Sequence, residues 1–212
     1  RFKCDWSSDV CSSDLDPGSY VYTSDPEARN RFRGTAFHNT VMVDGIEQNE
    51  MNPEWLFRLF EKALPQTLAF EASASRVVYE GCHEGYARLP VPLRHRRRFV
   101  HDRQTGQLDV EDELRSDGGH ELRWHFHLAP GVSAELDPAA PVLRLWAGGL
   151  HFELQWSGPE LAAELTASQY SPSYGRALPC LALNLRTKMQ IVGGACWAFR
   201  LCQSSPRVEC LS

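Results

Sequence analysis

Five consecutive basic residues, Arg94, His95, Arg96, Arg97 and Arg98, form the strongest charge run in the chain. Such a run suits a patch for an anionic polymer. On a strand, however, Arg94, Arg96 and Arg98 share one face. Past a turn at 102–106, Asp109, Glu111 and Glu113 also share one. Pairing Arg98 with Asp109, Arg96 with Glu111 and Arg94 with Glu113 makes a cross-strand ion-pair ladder, each exposed pair contributing about 0.2–1 kcal/mol. A slip of one residue sets Arg97 against Glu111 instead. His125 and His127 are spaced i, i+2, which on a strand can chelate a metal or simply line a polar face. His83 and Tyr86 sit in a stretch punctuated by Gly81 and Gly85, and Tyr174 lies in Ser-Pro-Ser-Tyr-Gly. Loops of this kind often carry sites; an anchoring tyrosine in a turn is the competing reading.

The elements that must position these groups read as strands. Leu122, Trp124, Phe126 and Leu128 alternate with Arg123, His125 and His127. Leu150, Phe152, Leu154 and Trp156 alternate with His151, Glu153 and Gln155, and Leu181, Leu183 and Leu185 repeat the pattern. Period 2 is the mark of a half-buried antiparallel strand. Further strands are predicted at 40–43, 76–80, 94–101, 107–114 and 142–146. Asp44-Gly45, Gln104-Thr105-Gly106, Asp117-Gly118-Gly119, Asp137-Pro138 and Gly148-Gly149 supply the turns. Short strands at this spacing predict an all-β antiparallel sandwich. One short helix is expected at 53–64, with Asn52 as cap and Pro53 in its first turn; a buried strand over 55–60 competes with it.

Of the 212 residues, 42% are hydrophobic and 23% charged, enough apolar material for a core. A net charge of −5 argues against a dedicated nucleic-acid binder. The sequence contains no apolar run long enough to span a membrane as a helix. The 7 cysteines include no C-x-x-C pair, so neither a zinc ribbon nor a thioredoxin-like motif is supported. Residues 1–15 repeat Ser-Ser-Asp without sustained periodicity. They resemble a translated sequencing adaptor and are expected to be an adaptor-like or disordered tail rather than native chain. Residues 191–212 read as a final strand, Ala-Cys-Trp-Ala-Phe-Arg-Leu, or as a frameshifted tail.

Residues 16–190 carry an ordered set of motifs. These are Asp16-Pro17-Gly18 with Tyr20 and Tyr22, Arg31-Phe32-Arg33-Gly34-Thr35, His38-Asn39-Thr40 and Val43-Asp44-Gly45. His83-Glu84-Gly85-Tyr86, His95-Arg96-Arg97, Val110-Glu111-Asp112 and Ser173-Tyr174-Gly175 follow in order. The set resembles the C-terminal β-domain of the heparinase II/III-like polysaccharide lyases. The resemblance implies a β-sandwich that closes a cleft against an N-terminal α/α toroid, with β-elimination at a 4-linked uronic acid. In that reaction a base removes the C5 proton, an acid protonates the leaving O4, and the uronate carboxylate charge must be offset.

By the same resemblance, Asp16 and His38 are expected to help bind a zinc ion, a donor set suited to it. Arg33 is expected to contact a uronate carboxylate, and His83, Tyr86 and Tyr174 to touch sugar. Each has a plainer reading: a turn former for Asp16, an edge histidine for His38, a loop salt bridge for Arg33. The His-x-His-x-Asp stretch expected upstream is replaced here by the adaptor-like segment. The chain is thus expected to be a fragment, inactive by itself, whose partners are an acidic polysaccharide and the toroid. A periplasmic or extracellular location follows from the resemblance alone. The alternative is a noncatalytic carbohydrate-binding or structural sandwich.

Overall fold

The computed structural model describes residues 17–52, 54–55 and 60–204. Two antiparallel sheets face each other. The smaller has four strands in the order β1, β6, β11, β10: Val41–Val43, Asp117–His127, Arg176–Val192 and Ala162–Ser173. The larger has eight in the order β2, β3, β4, β5, β12, β9, β8, β7. These run over Gln66–Ala72, Arg76–His83, Arg94–Asp102, Leu108–Arg115, Ala195–Gln203, Leu150–Ser157, Val142–Ala147 and Ser133–Leu136. The expected sandwich is therefore present. Residues 195–203 are a strand at its centre, paired with β5 on one side and β9 on the other.

The core follows the alternation. Leu122 and Trp124 of β6 and Leu183 and Leu185 of β11 point inward against Trp197 and Phe199 of β12. The indoles of Trp124 and Trp197 lie 4.7 Å apart between ring centroids, a tilted pair that fills the space between the sheets.

Three expectations are corrected. First, the β4–β5 register sits two residues from the expected ladder: Arg96 opposes Glu113 and Arg98 opposes Glu111, while Arg94 opposes Arg115. The turn sets this. Asp102 and Gln107 close it with a backbone bond of 2.9 Å, and the Asp102 carboxylate accepts from Gln104 and Thr105 N–H at 2.8 and 2.9 Å. A two-residue shift keeps every side chain on its face, so the exposed ladder survives with new partners. Arg96 bonds both Glu80 and Glu113.

Second, the helix expected at 53–64 falls partly outside the described residues, at 53 and 56–59, and its described parts, 54–55 and 60–64, hold no helix. Asn49 Oδ1 accepts from the N–H of Lys62 and Ala63, both at 2.9 Å, which diverts two donors from helical bonding. The described helix is α1, Pro26–Arg33. Asp25 caps it by accepting from Ala28 N–H at 2.9 Å, and Pro26 opens it. With only Ala28 and Phe32 as buried apolar positions, its period was hidden in the sequence.

Third, His127 is not on an open polar face. A 3₁₀ turn at Thr35–Phe37 covers it, and its ring contacts Ala36 O and Ser168 Oγ at 3.1 Å each. His125 is half-buried with Nδ1 on Asn184 Oδ1 at 2.8 Å, and burial pushes its pKa down. No described helix is long and apolar enough to cross a membrane.

Candidate functional site

The segment from Pro17 to Asn49 wraps one side of the small sheet and builds a polar cavity. α1 ends at Gly34, and the chain passes through the 3₁₀ turn into His38, Asn39, Thr40 and β1. The Asp44-Gly45 turn, both residues at positive φ (53° and 69°), reverses it. The returning strand-like segment is then stitched to the 3₁₀ turn. Glu47 Oε2 accepts from Thr35 N–H at 2.6 Å, and Gln48 N–H donates to Thr35 Oγ1 at 3.0 Å. Gln48 Nε2 donates to Thr40 Oγ1 at 3.0 Å.

Between these segments lies a cavity of about 210 Å³ lined by Arg33, Thr35, His38, Thr40, Glu47, Gln48, Asn49 and Met51. The structure thus brings Arg33 and His38 to one cavity. Arg33 Nη1 donates to Trp55 O at 3.1 Å and to Asn30 Oδ1 at 3.5 Å. Partial burial, and then the charge of Arg29, lower its pKa. A guanidinium still keeps its charge at neutral pH. A carboxylate ligand suits the Arg33 side of the cavity, since Glu47, the carboxylate that also lines it, is engaged through Oε2 by Thr35 N–H.

His83 and Tyr86 are elsewhere. Tyr86 is 0% exposed, and its hydroxyl donates to Val41 O at 2.9 Å. Burial raises its pKa. Its ring offers no surface to a ligand and anchors the 83–93 loop on β1. His83 Nδ1 accepts from Gly85 N–H at 3.1 Å, which leaves Nε2 to carry the proton toward His95 Nδ1 at 3.0 Å. His95 Nε2 in turn lies 2.7 Å from Asp112 Oδ1. Burial, then the charges of His95 and Arg97, push the His83 pKa down to about 3, so its ring is neutral at neutral pH.

The end of that chain is a buried carboxylate. Asp112 is 0% exposed and accepts from Arg97 Nε and Nη2 at 2.6 Å each and from Trp124 Nε1 at 2.8 Å, besides His95. Burial alone would raise its pKa; Arg97 and His95 override that and hold it below the usual carboxylate range. Arg97 Nη1 also donates to Asn39 O, and Asn39 Oδ1 accepts from His127 N–H at 2.8 Å. The basic run is therefore two things: an exposed ladder on one face, and on the other a clamp that ties the His38–Thr40 segment to the core. The sequence held a signal for this. Asp112 stands in the apolar phase of β5, between Val110 and Leu114, where a carboxylate needs partners.

A second buried imidazole, His120, lies 2.8 Å from Ser116 Oγ and 2.8 Å from Asp44 Oδ2. The order of atoms is that of a Ser-His-Asp triad. Ser116 is itself buried, and its hydroxyl donates to Pro92 O at 2.7 Å. This group locks the Asp44-Gly45 turn to β6 and presents no nucleophile. Tyr174 is exposed at the β10–β11 hairpin tip, its ring 5.4 Å from that of Tyr22.

Asp16 lies outside the described residues. Among the described residues, no group of three His, Cys, Asp or Glu is placed to hold one metal ion, so these residues do not by themselves make the expected zinc site.

Comparisons agree with this architecture. The structure superposes on a heparinase III, the BT4657 gene product, with a TM-score of 0.73 at 18% identity, covering 92% of this chain and 28% of that one. Heparan sulfate lyase HepC from Pedobacter heparinus gives a TM-score of 0.73 at 16% identity, with 92% and 28% covered. At such identities the likeness speaks for the fold, and the chain spans little more than a quarter of those proteins. No curated protein sequence gives a match. The family described as heparinase II/III-like, C-terminal, matches residues 15–196, most of the sequence, and the chain belongs to that family.

Proposed function

We propose that this chain is the β-sandwich part of a polysaccharide lyase that cleaves uronic-acid-containing polysaccharides by β-elimination, outside the cytoplasm. The observation that carries the reading is the cavity holding Arg33 and His38 within a domain of this family. In the reaction the C5–H bond breaks, its electron pair forms the C4–C5 double bond, the C4–O4 bond breaks, and O4 takes a proton. The carboxylate on C5 gains charge as the proton leaves. A guanidinium at the carboxylate offsets that charge, most strongly in a partly dry cavity. Arg33 is the residue for this role, held by Trp55 O and Asn30 Oδ1, with Thr35, Thr40 and Gln48 forming the cavity walls. An N-terminal toroid of the parent protein supplies the rest of the cleft.

The zinc expected at Asp16 and His38 is proposed on the family likeness alone, and zinc content of the parent protein with and without His38→Ala tests it. The main test is the appearance of an unsaturated uronate, read by its ultraviolet absorbance, from the parent protein on unsulfated and sulfated uronate polymers. Arg33→Ala is expected to lower kcat/KM about 10–100-fold, the worth of a charge-assisted hydrogen-bonded contact. Equal activity in that variant removes Arg33 from the site. A noncatalytic carbohydrate-binding sandwich is the second reading. It is favoured by one observation: His83 and Tyr86, expected to touch sugar, are instead tied into the core.

A further inference from the structure

Two tyrosines far apart in sequence meet at the surface. Tyr22 is 45% exposed and Tyr174 61% exposed, with ring centroids 5.4 Å apart and planes tilted by 31°. Exposed apolar side chains are ordinary on this surface, Trp55 and Phe70 among them; two exposed rings in mutual contact from distant parts of the chain form a patch. The backbone beneath them is firmly built. Ser171 N–H donates to Pro17 O and Gly175 N–H to Tyr20 O, both at 2.8 Å, so the 17–22 segment is docked on the β10–β11 hairpin tip. Arg29, 3% exposed, donates from Nη1 to Tyr22 O at 3.1 Å and fixes the residue from below. Gly18 sits at φ +79°, where an added Cβ would lie 2.4 Å from Ser171 O, so the approach is as close as a glycine permits.

The pair also has a definite relation to the Arg33 cavity. Tyr22 lies just before the cap of α1, and Arg33 is the last residue of that helix. Eight helical residues span about 12 Å. Between the two, on the exposed side of the helix, stands Arg31. Its guanidinium packs over the rings of Phe32 and Phe37 at 5.7 and 5.6 Å and its Nη2 bonds Gln169 Oε1 at 2.5 Å. The aromatic pair and the cationic cavity therefore stand at the two ends of a single helix, while Arg31, two residues before Arg33, faces β10 rather than the cavity. A polymer of pyranose rings with carboxylates suits two such sites one helix length apart: its C–H faces suit the rings, and a carboxylate suits Arg33.

We infer that Tyr22 and Tyr174 form a stacking platform for a sugar ring of the acidic polysaccharide whose carboxylate enters the Arg33 cavity, an extension that rests on the function proposed above. The platform binds and orients the chain and takes no part in bond cleavage.

The test is titration of this chain, with its tyrosine rings ¹³C-labelled, by an unsulfated uronic-acid-containing tetrasaccharide. The ring signals of Tyr22 and Tyr174 are expected to shift. Tyr22→Ala and Tyr174→Ala are each expected to raise Kd about three- to tenfold with the melting temperature unchanged, and Tyr174→Phe, which keeps the ring, to bind as the parent does. Unmoved ring signals with unchanged Kd in both alanine variants overturn the platform. Arg33→Ala separates the two ideas. Binding lost in the tyrosine variants but kept in Arg33→Ala supports the platform and overturns the cavity; the reverse pattern overturns the platform and leaves the cavity standing. If this chain alone binds no saccharide, the same variants are titrated in the parent protein, where an unchanged Kd in both tyrosine variants overturns the platform and an unchanged Kd in Arg33→Ala overturns the cavity.

Discussion

Arg97 grips Asp112 with two parallel hydrogen bonds, Nε to Oδ1 and Nη2 to Oδ2, each 2.6 Å long. The two residues are direct neighbours across β4 and β5, on the inward face of the larger sheet. A fork of this kind is the strongest way to satisfy a buried carboxylate, and here it is the junction between core and cavity rim, because Arg97 also reaches Asn39 O. Removing Arg97 leaves Asp112 charged and buried. Arg97→Ala is expected to cost about 3–5 kcal/mol in urea unfolding. A loss below about 1 kcal/mol would show that the carboxylate finds other partners.

Acid should loosen the same network, and the signs can be worked out. The Asp112 carboxyl is held below its unfolded value of 3.8, so it contributes stability above that value and loses it as pH falls through the folded one. His83 has its pKa lowered from 6.5 to about 3, chiefly by burial. The unfolded chain takes that proton below about pH 6.5 while the folded chain refuses it, so stability declines as pH falls from 6.5 toward 3. The melting temperature is expected to drop steadily between pH 7 and 4. His83→Gln keeps a donor and an acceptor but cannot titrate, and should flatten that slope; an unchanged slope would remove His83 from the account.

Gly18→Ala probes the docking of the 17–22 segment. The substitution meets both a positive φ and the Ser171 carbonyl, and is expected to destabilise by about 1–2 kcal/mol or more. Calorimetry of the variant reads this, and the backbone amide signals of Ser171 and Gly175 should move with it. Signals that stay in place would mean that the contact yields without cost.

Ser116, for all its triad geometry, is expected to be inert. A fluorophosphonate probe should label no serine in the native chain, since the hydroxyl is buried and already donates to Pro92 O. Labelling at Ser116 would reopen hydrolytic chemistry at this site. Asp44→Ala is expected to destabilise by about 1–3 kcal/mol, because His120 and Glu121 N–H both lose their acceptor.

Much of the sandwich was legible because burial on a strand is a local, period-2 property. Leu122 and Trp124, or Leu150 to Trp156, announce their inward face without reference to any partner. The central strand 195–203 and the outward face of Arg94, Arg96 and Arg98 could be read in the same way. β2, β7 and β10 were not, since edge strands such as β2 lie largely open to solvent and lack the contrast on which the reading depends. Helix α1 escaped for a related reason: it buries only Ala28, Arg29 and Phe32.

The ordered motifs from Asp16 to Gly175, and the alternation beneath them, are what the sequence by itself determined: the family and a two-sheet antiparallel core. Which groups meet was decided only by the tertiary structure. The β4–β5 register turned on how many residues the Asp102–Gln107 turn encloses, and that choice assigned Glu113 to Arg96 and Asp112 to Arg97. Tyr86 could be read as a turn anchor or as a sugar contact, and the packing of its loop onto β1 decided for the anchor. Tyr22 and Tyr174, or Asp44 and Ser116, come together from opposite parts of the chain. Such meetings depend on packing across the whole domain, where the energy of a contact is set by what surrounds it rather than by its neighbours in sequence.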